Sequence, residues 1–179
     1  MLLNTISEST DTLSKRDKAL FAMYAFTGIR KSEALALRIS DYDKVSKIIH
    51  LPITKGTSKR FQAIPSILSH ILDEYLENNF DSRNINSSLP LFSGERIDTH
   101  LSCRQVSYRF EKWKSISFIR KNLTVHSFRA AYALLLYKKT KDPLLVSYAL
   151  GHSSLNTTME YISEDFFDLH SVLDTAFGN

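Results

Sequence analysis

Between residues 47 and 65 the sequence changes its period. "KIIHLPI" (Lys47–Ile53) and "RFQAIP" (Arg60–Pro65) are short and β-rich, and "TKGTSK" (Thr54–Lys59) between them carries the glycine of a tight turn. Two such runs around a short connection predict a β-hairpin. "RISDYD" (Arg38–Asp43) is placed to add a third strand. Elsewhere the apolar residues recur at helical intervals. One hairpin inside an otherwise helical chain predicts a mainly α domain with a small antiparallel β-sheet, an α+β arrangement.

The helical segments carry their own punctuation. In "LSKRDKALFAMYAFTG", Ser14 is the expected N-cap, with Asp17 three residues on in capping-box fashion. Leu20, Met23, Tyr24 and Phe26–Thr27 supply an apolar face, and Gly28 ends the helix. "RKSEALALR" restarts as a short helix that buries Leu35 and Leu37. After Pro65, Ile67, Ile71, Leu72, Tyr75 and Leu76 share one helical face. "DSRNINSSLPLFSGERIDTH" is polar and turn-rich and reads as loop. Ser102–Ser117 is helical, with Val106, Phe110 and Trp113 inward. "HSFRAAYALLLYKKT" is a strong helix, Pro143 opens "PLLVSYAL", and Gly151 stops it. Thr157 and Thr158 lead to a helix bearing Tyr161, and residues 164–177 form a last amphipathic helix. Tyr24, Tyr132 and Tyr148 sit on apolar faces and read as core.

A chain of 179 residues suffices for one domain, with a core over about residues 12–165 and a helical tail beyond it. Apolar runs such as "YALLLY" are too short to cross a membrane, and "MLLNTISEST" lacks the pattern of a signal peptide. A single cysteine, Cys103, fits a reducing, cytoplasmic compartment. Net charge is +4, but its distribution is uneven. Residues 160–179 hold five acidic side chains and no Lys or Arg, so residues 1–159 carry 23 basic against 14 acidic, a net +9. Such a body suits a polyanionic partner such as nucleic acid. The six histidines are dispersed, with no H-x-x-x-H and no cysteine pair, which predicts neither a catalytic metal nor a cofactor.

Four stretches hold the reactive side chains. "TGIRKSEALAL" has Arg30 after a glycine and Glu33 three residues on. "TKGTSKR" has Lys55 in the hairpin turn. "HSFRAAYALLLY" sets His126 and Arg129 one helical turn apart. "GHSSLNTTMEYIS" has His152 and, nine positions later, Tyr161. Taken singly, each has an ordinary reading as a surface cation, a satisfied histidine or a packed tyrosine. Together, in this order and with the flanks T-G-x-R-x-x-E and L-G-H-S-S-x-x-T-T-x-x-Y, they resemble the catalytic domain of the tyrosine recombinases, the phage-integrase and Xer-like family.

The resemblance covers roughly residues 12–170 and implies a site-specific DNA recombinase or integrase. Such an enzyme cuts and rejoins strands through a covalent 3′-phosphotyrosyl intermediate. Arg30 and Arg129 would clamp the phosphate, because a guanidinium fork binds two of its oxygens and keeps its proton. His152 would add a hydrogen bond, Tyr161 would be the nucleophile and His126 its base. Lys55 would protonate the leaving 5′-oxygen, with Lys59 the competing lysine. Glu33 would orient or buttress the site. Covalent storage of the phosphoester would make ATP unnecessary for ligation.

Double-stranded DNA and other protomers, in a tetramer on DNA, are the partners this implies. "SCRQVSYRFEKWK" is the expected DNA-facing helix, giving Arg104, Arg109 and Lys112, with Lys59 and Arg60 in the hairpin, as candidate DNA contacts. The apolar residues of 166–177 suit docking either on a neighbouring protomer or back on this chain. Family members usually carry an N-terminal clamp domain. Only about a dozen residues precede the first catalytic-domain helix here, so weak DNA binding is expected. A type IB topoisomerase-like relaxer and a non-catalytic DNA-binding relative are the competing functions.

Overall fold

The computed structural model describes residues 2–51, 60–80, 86–94, 96–119, 122–152 and 155–162, without the side chains of 60, 160 and 162. Within them the chain runs through α1 (Leu2–Ser7), α2 (Ser14–Thr27), α3 (Lys31–Ala36) and a 3-10 turn (Ile39–Asp41). Next come β1 (Tyr42–Asp43), β2 (Ile48–Leu51) and β3 (Arg60–Ala63). The remaining helices are α4 (Ser66–Asn79), α5 (Cys103–Ile116), α6 (His126–Thr140), α7 (Pro143–Leu150) and α8 (Leu155–Ile162). The chain divides into two compact units, and the division falls inside α6, after Tyr132.

In the first unit the centre of the core is α2. Ala19 to Tyr24 are all buried, so this helix is apolar around most of its circumference and packs against α1, α3 and α4. Its ring cluster joins Phe21 to Phe110 of α5 and Phe128 of α6. The sheet order is β1-β2-β3, antiparallel throughout, with Tyr42 opposite Ile49 and Ile49 opposite Gln62. Ile49 and Leu51 point into the core while Ile48 and His50 alternate outward, as a half-buried strand requires. On α4 the buried face is Leu68, Ile71, Leu72, Tyr75 and Leu76.

Several local expectations are corrected. Ile67 is exposed, because it sits one position off the 68/71/72/75/76 stripe. Ser14 is the first residue of α2 rather than its cap. Leu13 occupies the cap position, and the Asp17 carboxylate is taken by Arg16, Arg109 and Trp113. Tyr148 is 80% exposed, and Tyr132 is half-buried. The polar loop after α4 carries core residues: Leu91 and Phe92 are buried, Leu91 N–H donates to Leu37 O, and Phe92 stacks on Tyr75. The tail helix over 164–177 lies outside the described residues.

Other boundaries follow their sequence signals. α5 opens with a reciprocal capping box, Gln105 N–H donating to Ser102 Oγ and Ser102 N–H to Gln105 Oε1. In the second unit α7 starts from Asp142, whose carboxylate accepts from Leu144 and Leu145 N–H, with Pro143 next. Gly151 ends it at φ 64°, a left-handed conformation glycine adopts without strain. α7 then packs against α8.

Candidate active site

The turn from α2 into α3 builds half of what the first unit contributes. Gly28 closes α2 with φ 61°. Thr27 Oγ1 donates to Met23 O and accepts from Ile29 N–H, which stiffens the turn. Arg30 follows as the N-cap of α3. Its backbone N–H donates to Glu33 Oε2 at 2.9 Å, and its guanidinium Nη1 meets Glu33 Oε1 at 3.0 Å. The Glu33 side chain is buried, whereas that of Arg30 is 40% exposed. One carboxylate therefore caps the helix and holds the arginine, whose side chain stays partly exposed.

Arg129, in the first turns of α6, reaches the same turn. It is 3% exposed, and its Nη1 donates to the carbonyl of Gly28 at 2.5 Å. That carbonyl belongs to the C-terminal end of α2, where the peptide dipoles favour a cation. His126 opens α6 one turn earlier and is exposed. Ile29, Lys31, Ser107, Thr124, Val125, His126 and Arg129 enclose a pocket of about 290 Å³. Lys31 and Ser107, joined by a 3.3 Å hydrogen bond, were not among the expected site residues. The one available signal for Lys31 was its place beside Arg30.

In the second unit, His152 follows Gly151, and its backbone N–H donates to Ser147 O. Its Nδ1 lies 2.7 Å from Thr158 Oγ1, and its ring stacks on Tyr161 with centroids 5.9 Å apart and 22° between planes. The His-to-Tyr spacing of the sequence is thus an aromatic contact across the α7–α8 turn.

Two of the candidate DNA contacts on α5, Arg109 and Lys112, have ion-pair partners within the protein. Arg109 is buried, with Nε 2.5 Å from Asp17 Oδ2 and Nη2 2.9 Å from Asp11 Oδ1. Lys112 pairs with Asp11 and lies over the Trp113 ring. Asp17, fully buried, also accepts from Trp113 Nε1 at 2.7 Å and from Arg16. Both cations therefore lock α5 to α2 and to the segment before it. The solvent side of the helix is Arg104, Ser107, Tyr108 and Glu111, one face at helical spacing. The Asp11 carboxyl is held well below its usual range: burial acts to raise it, and hydrogen bonds from Arg109 and Lys112 outweigh burial. Desolvation lifts the phenols of Tyr24 and Tyr75 and raises that of Tyr42 to about 12, which fits their use as packing groups.

Lys55 and Lys59 lie outside the described residues, as does the Arg60 side chain. Among the described residues, no three His, Cys, Asp or Glu side chains cluster to hold a metal, and no helix is long and apolar enough to cross a membrane.

This order of elements, mostly helical with a small three-stranded antiparallel sheet, matches the fold of tyrosine recombinase catalytic domains. A solved XerA recombinase resembles it with a TM-score of 0.79 at 22% identity, over 99% of this chain and 62% of that one. The chain belongs to the phage integrase family, whose sequence pattern matches residues 1–166. Tyrosine recombinase XerC of Shewanella amazonensis is 30% identical over 93% of this chain and 55% of its own length. Tyrosine recombinase XerC of Neisseria meningitidis serogroup B is 32% identical over 98% of this chain and 56% of its own. A XerH site-specific recombinase, solved bound to its difH substrate before cleavage, gives a TM-score of 0.76 at 28% identity, over 96% of this chain and 49% of that one. The chain spans about half the length of the curated relatives it matches.

Proposed function

We propose that this chain carries out the cutting and rejoining chemistry of a tyrosine-type site-specific DNA recombinase. Its substrate is a phosphodiester of double-stranded DNA. Attack at phosphorus concentrates negative charge on the non-bridging oxygens, and donors already fixed around that charge make the largest catalytic contribution. Arg30 and Arg129 are those donors, and His152 adds a third hydrogen bond. The Tyr161 phenolic oxygen forms the new bond to phosphorus as the bond to the 5′-oxygen breaks. His126 takes the phenol proton, and Lys55 gives a proton to the departing 5′-hydroxyl. A second DNA 5′-hydroxyl later reverses the step, so the bond energy is conserved without ATP.

The observation that carries this reading is the binding of the Arg129 guanidinium to the Gly28 carbonyl, two residues before Arg30. Side chains about a hundred positions apart are thereby tied to one short turn beside a pocket of about 290 Å³. The Arg30–Glu33 clamp and the His152–Tyr161 stack support it. Other protomers, assembled as a tetramer on DNA, are the proposed partners.

A nicked suicide duplex tests the proposal. The chain should become covalently attached through the 3′-phosphate of the cleaved phosphodiester, as the short strand between that phosphate and the nick leaves with a free 5′-hydroxyl, and Tyr161→Phe should abolish the adduct. An adduct that persists in Tyr161→Phe, or none from the wild-type chain on any of the relatives' recombination sites, defeats the reading.

A further inference from the structure

The stretch from Gly151 to Tyr161 carries two adjacent threonines, and the structure separates them. Thr157 is exposed. Thr158 is fully buried, with its Oγ1 2.7 Å from Nδ1 of His152. We propose that Thr158 is a positioning residue whose hydroxyl donates to His152 Nδ1 and holds the imidazole as the tautomer with its hydrogen on Nε2. The inference rests on the reading above in which His152 donates to a DNA phosphate.

A phosphodiester offers only acceptors, so the ring nitrogen that meets it must carry a hydrogen. Nδ1 faces Thr158, so donation to a phosphate falls to Nε2. A neutral imidazole with its hydrogen on Nε2 has a lone pair on Nδ1, and that lone pair calls for a donor. A hydroxyl supplies one without a charge. A carboxylate in the same place would accept only, and would draw the hydrogen to Nδ1 or charge the ring.

The backbone reinforces the assignment. Thr158 and Tyr161 are three residues apart on α8 and so share a face. One fixes the edge of the His152 ring and the other covers its flat side. The backbone of His152 is held by its N–H bond to Ser147 O, directly after the left-handed Gly151. The ring is thus fixed at its root, its edge and its face.

Nitrogen-15 NMR of the full chain, at a pH of about 8 so that an ordinary imidazole is neutral, reads the tautomer directly. His152 should show a protonated Nε2 and a bare, hydrogen-bonded Nδ1. A protonated Nδ1 would overturn the assignment. Thr158→Val keeps the shape and removes the hydroxyl, and Thr158→Ser keeps the hydroxyl. On the suicide duplex Thr158→Val should form adduct at least about tenfold more slowly, the scale of one hydrogen bond, and Thr158→Ser should stay within about threefold of wild type. Wild-type speed in Thr158→Val, or equal loss in both variants, would also overturn it. If Thr158→Val does not fold, Thr158→Ser and the tautomer decide the question. Absence of adduct from the wild-type chain counts against the recombinase reading, whereas the tautomer judges Thr158 separately.

Discussion

Arg129 donates from Nη1 to the carbonyl oxygen of Gly28, and Gly28 is the residue whose left-handed backbone turns the chain from α2 toward Arg30. A single peptide unit therefore both ends a core helix and seats a buried guanidinium. Arg30, two residues further, is held separately by Glu33. The two arginines differ in environment: one is 3% exposed, and the side chain of the other is 40% exposed.

That dual use makes Gly28→Ala more costly to function than to folding. An L-residue at φ 61° costs about 1–2 kcal/mol. Thermal unfolding should report a loss of that size. Adduct formation, measured well below the transition, should fall further than the loss of folded protein explains, because relaxing the turn moves the carbonyl that seats Arg129.

Lysine substitution separates the two arginines. Arg30→Lys and Arg129→Lys should each slow adduct formation by about a hundredfold or more, since an ammonium cannot form the two-pronged phosphate contact. Arg129→Lys should also lower the urea midpoint, because the buried Gly28 carbonyl loses a well-placed donor. Arg30→Lys should leave that midpoint nearly unchanged.

The buried cluster of Asp17, Arg16, Arg109 and Trp113 is a stability element. Asp17→Asn removes the charge that balances two largely buried guanidinium groups and should cost about 3–5 kcal/mol in urea unfolding. Arg104→Ala, on the exposed side of α5, should cost less than about 0.5 kcal/mol.

Asp11 gives the acid limb of stability a defined direction. Its folded carboxyl titrates below its unfolded value, so its stabilising effect is fully present above that unfolded value, about 3.9, and is lost as pH falls from there toward the folded value. Unfolding curves between pH 5 and about 2 should show stability falling. The fall should be shallower in Asp11→Asn, which starts from a lower plateau.

DNA contact should be strongly salt-dependent, because each neutralised phosphate releases counterions. Titration of a labelled duplex at several salt concentrations measures the slope. Arg104→Ala should reduce it by about one unit. Adduct formation should persist in EDTA.

How far the sequence alone reached depends on the range of the physics involved. Helix and strand types are local properties, and so the antiparallel hairpin, the Gly28 and Gly151 stops and the Val106–Phe110–Trp113 face were legible, whereas the register that pairs Ile49 with Gln62 and the cap at Ser102 emerged only from the structure. Family order in the motifs drew attention to Arg30, Glu33, His126, Arg129, His152 and Tyr161, but not to what each touches. Partner choice between side chains distant in sequence was settled only by packing. Arg104 and Arg109 are alike as letters. Arg109 met Asp11 and Asp17, about ninety to a hundred residues away, in the interior, and Arg104 stayed in solvent. Thr157 and Thr158 are identical neighbours, and a rotation of about 100° along the helix puts one in water and the other against His152. The period of a sequence determines which elements form. Which polar group meets which is decided when those elements close over a common interior and each buried charge or hydroxyl must find a partner.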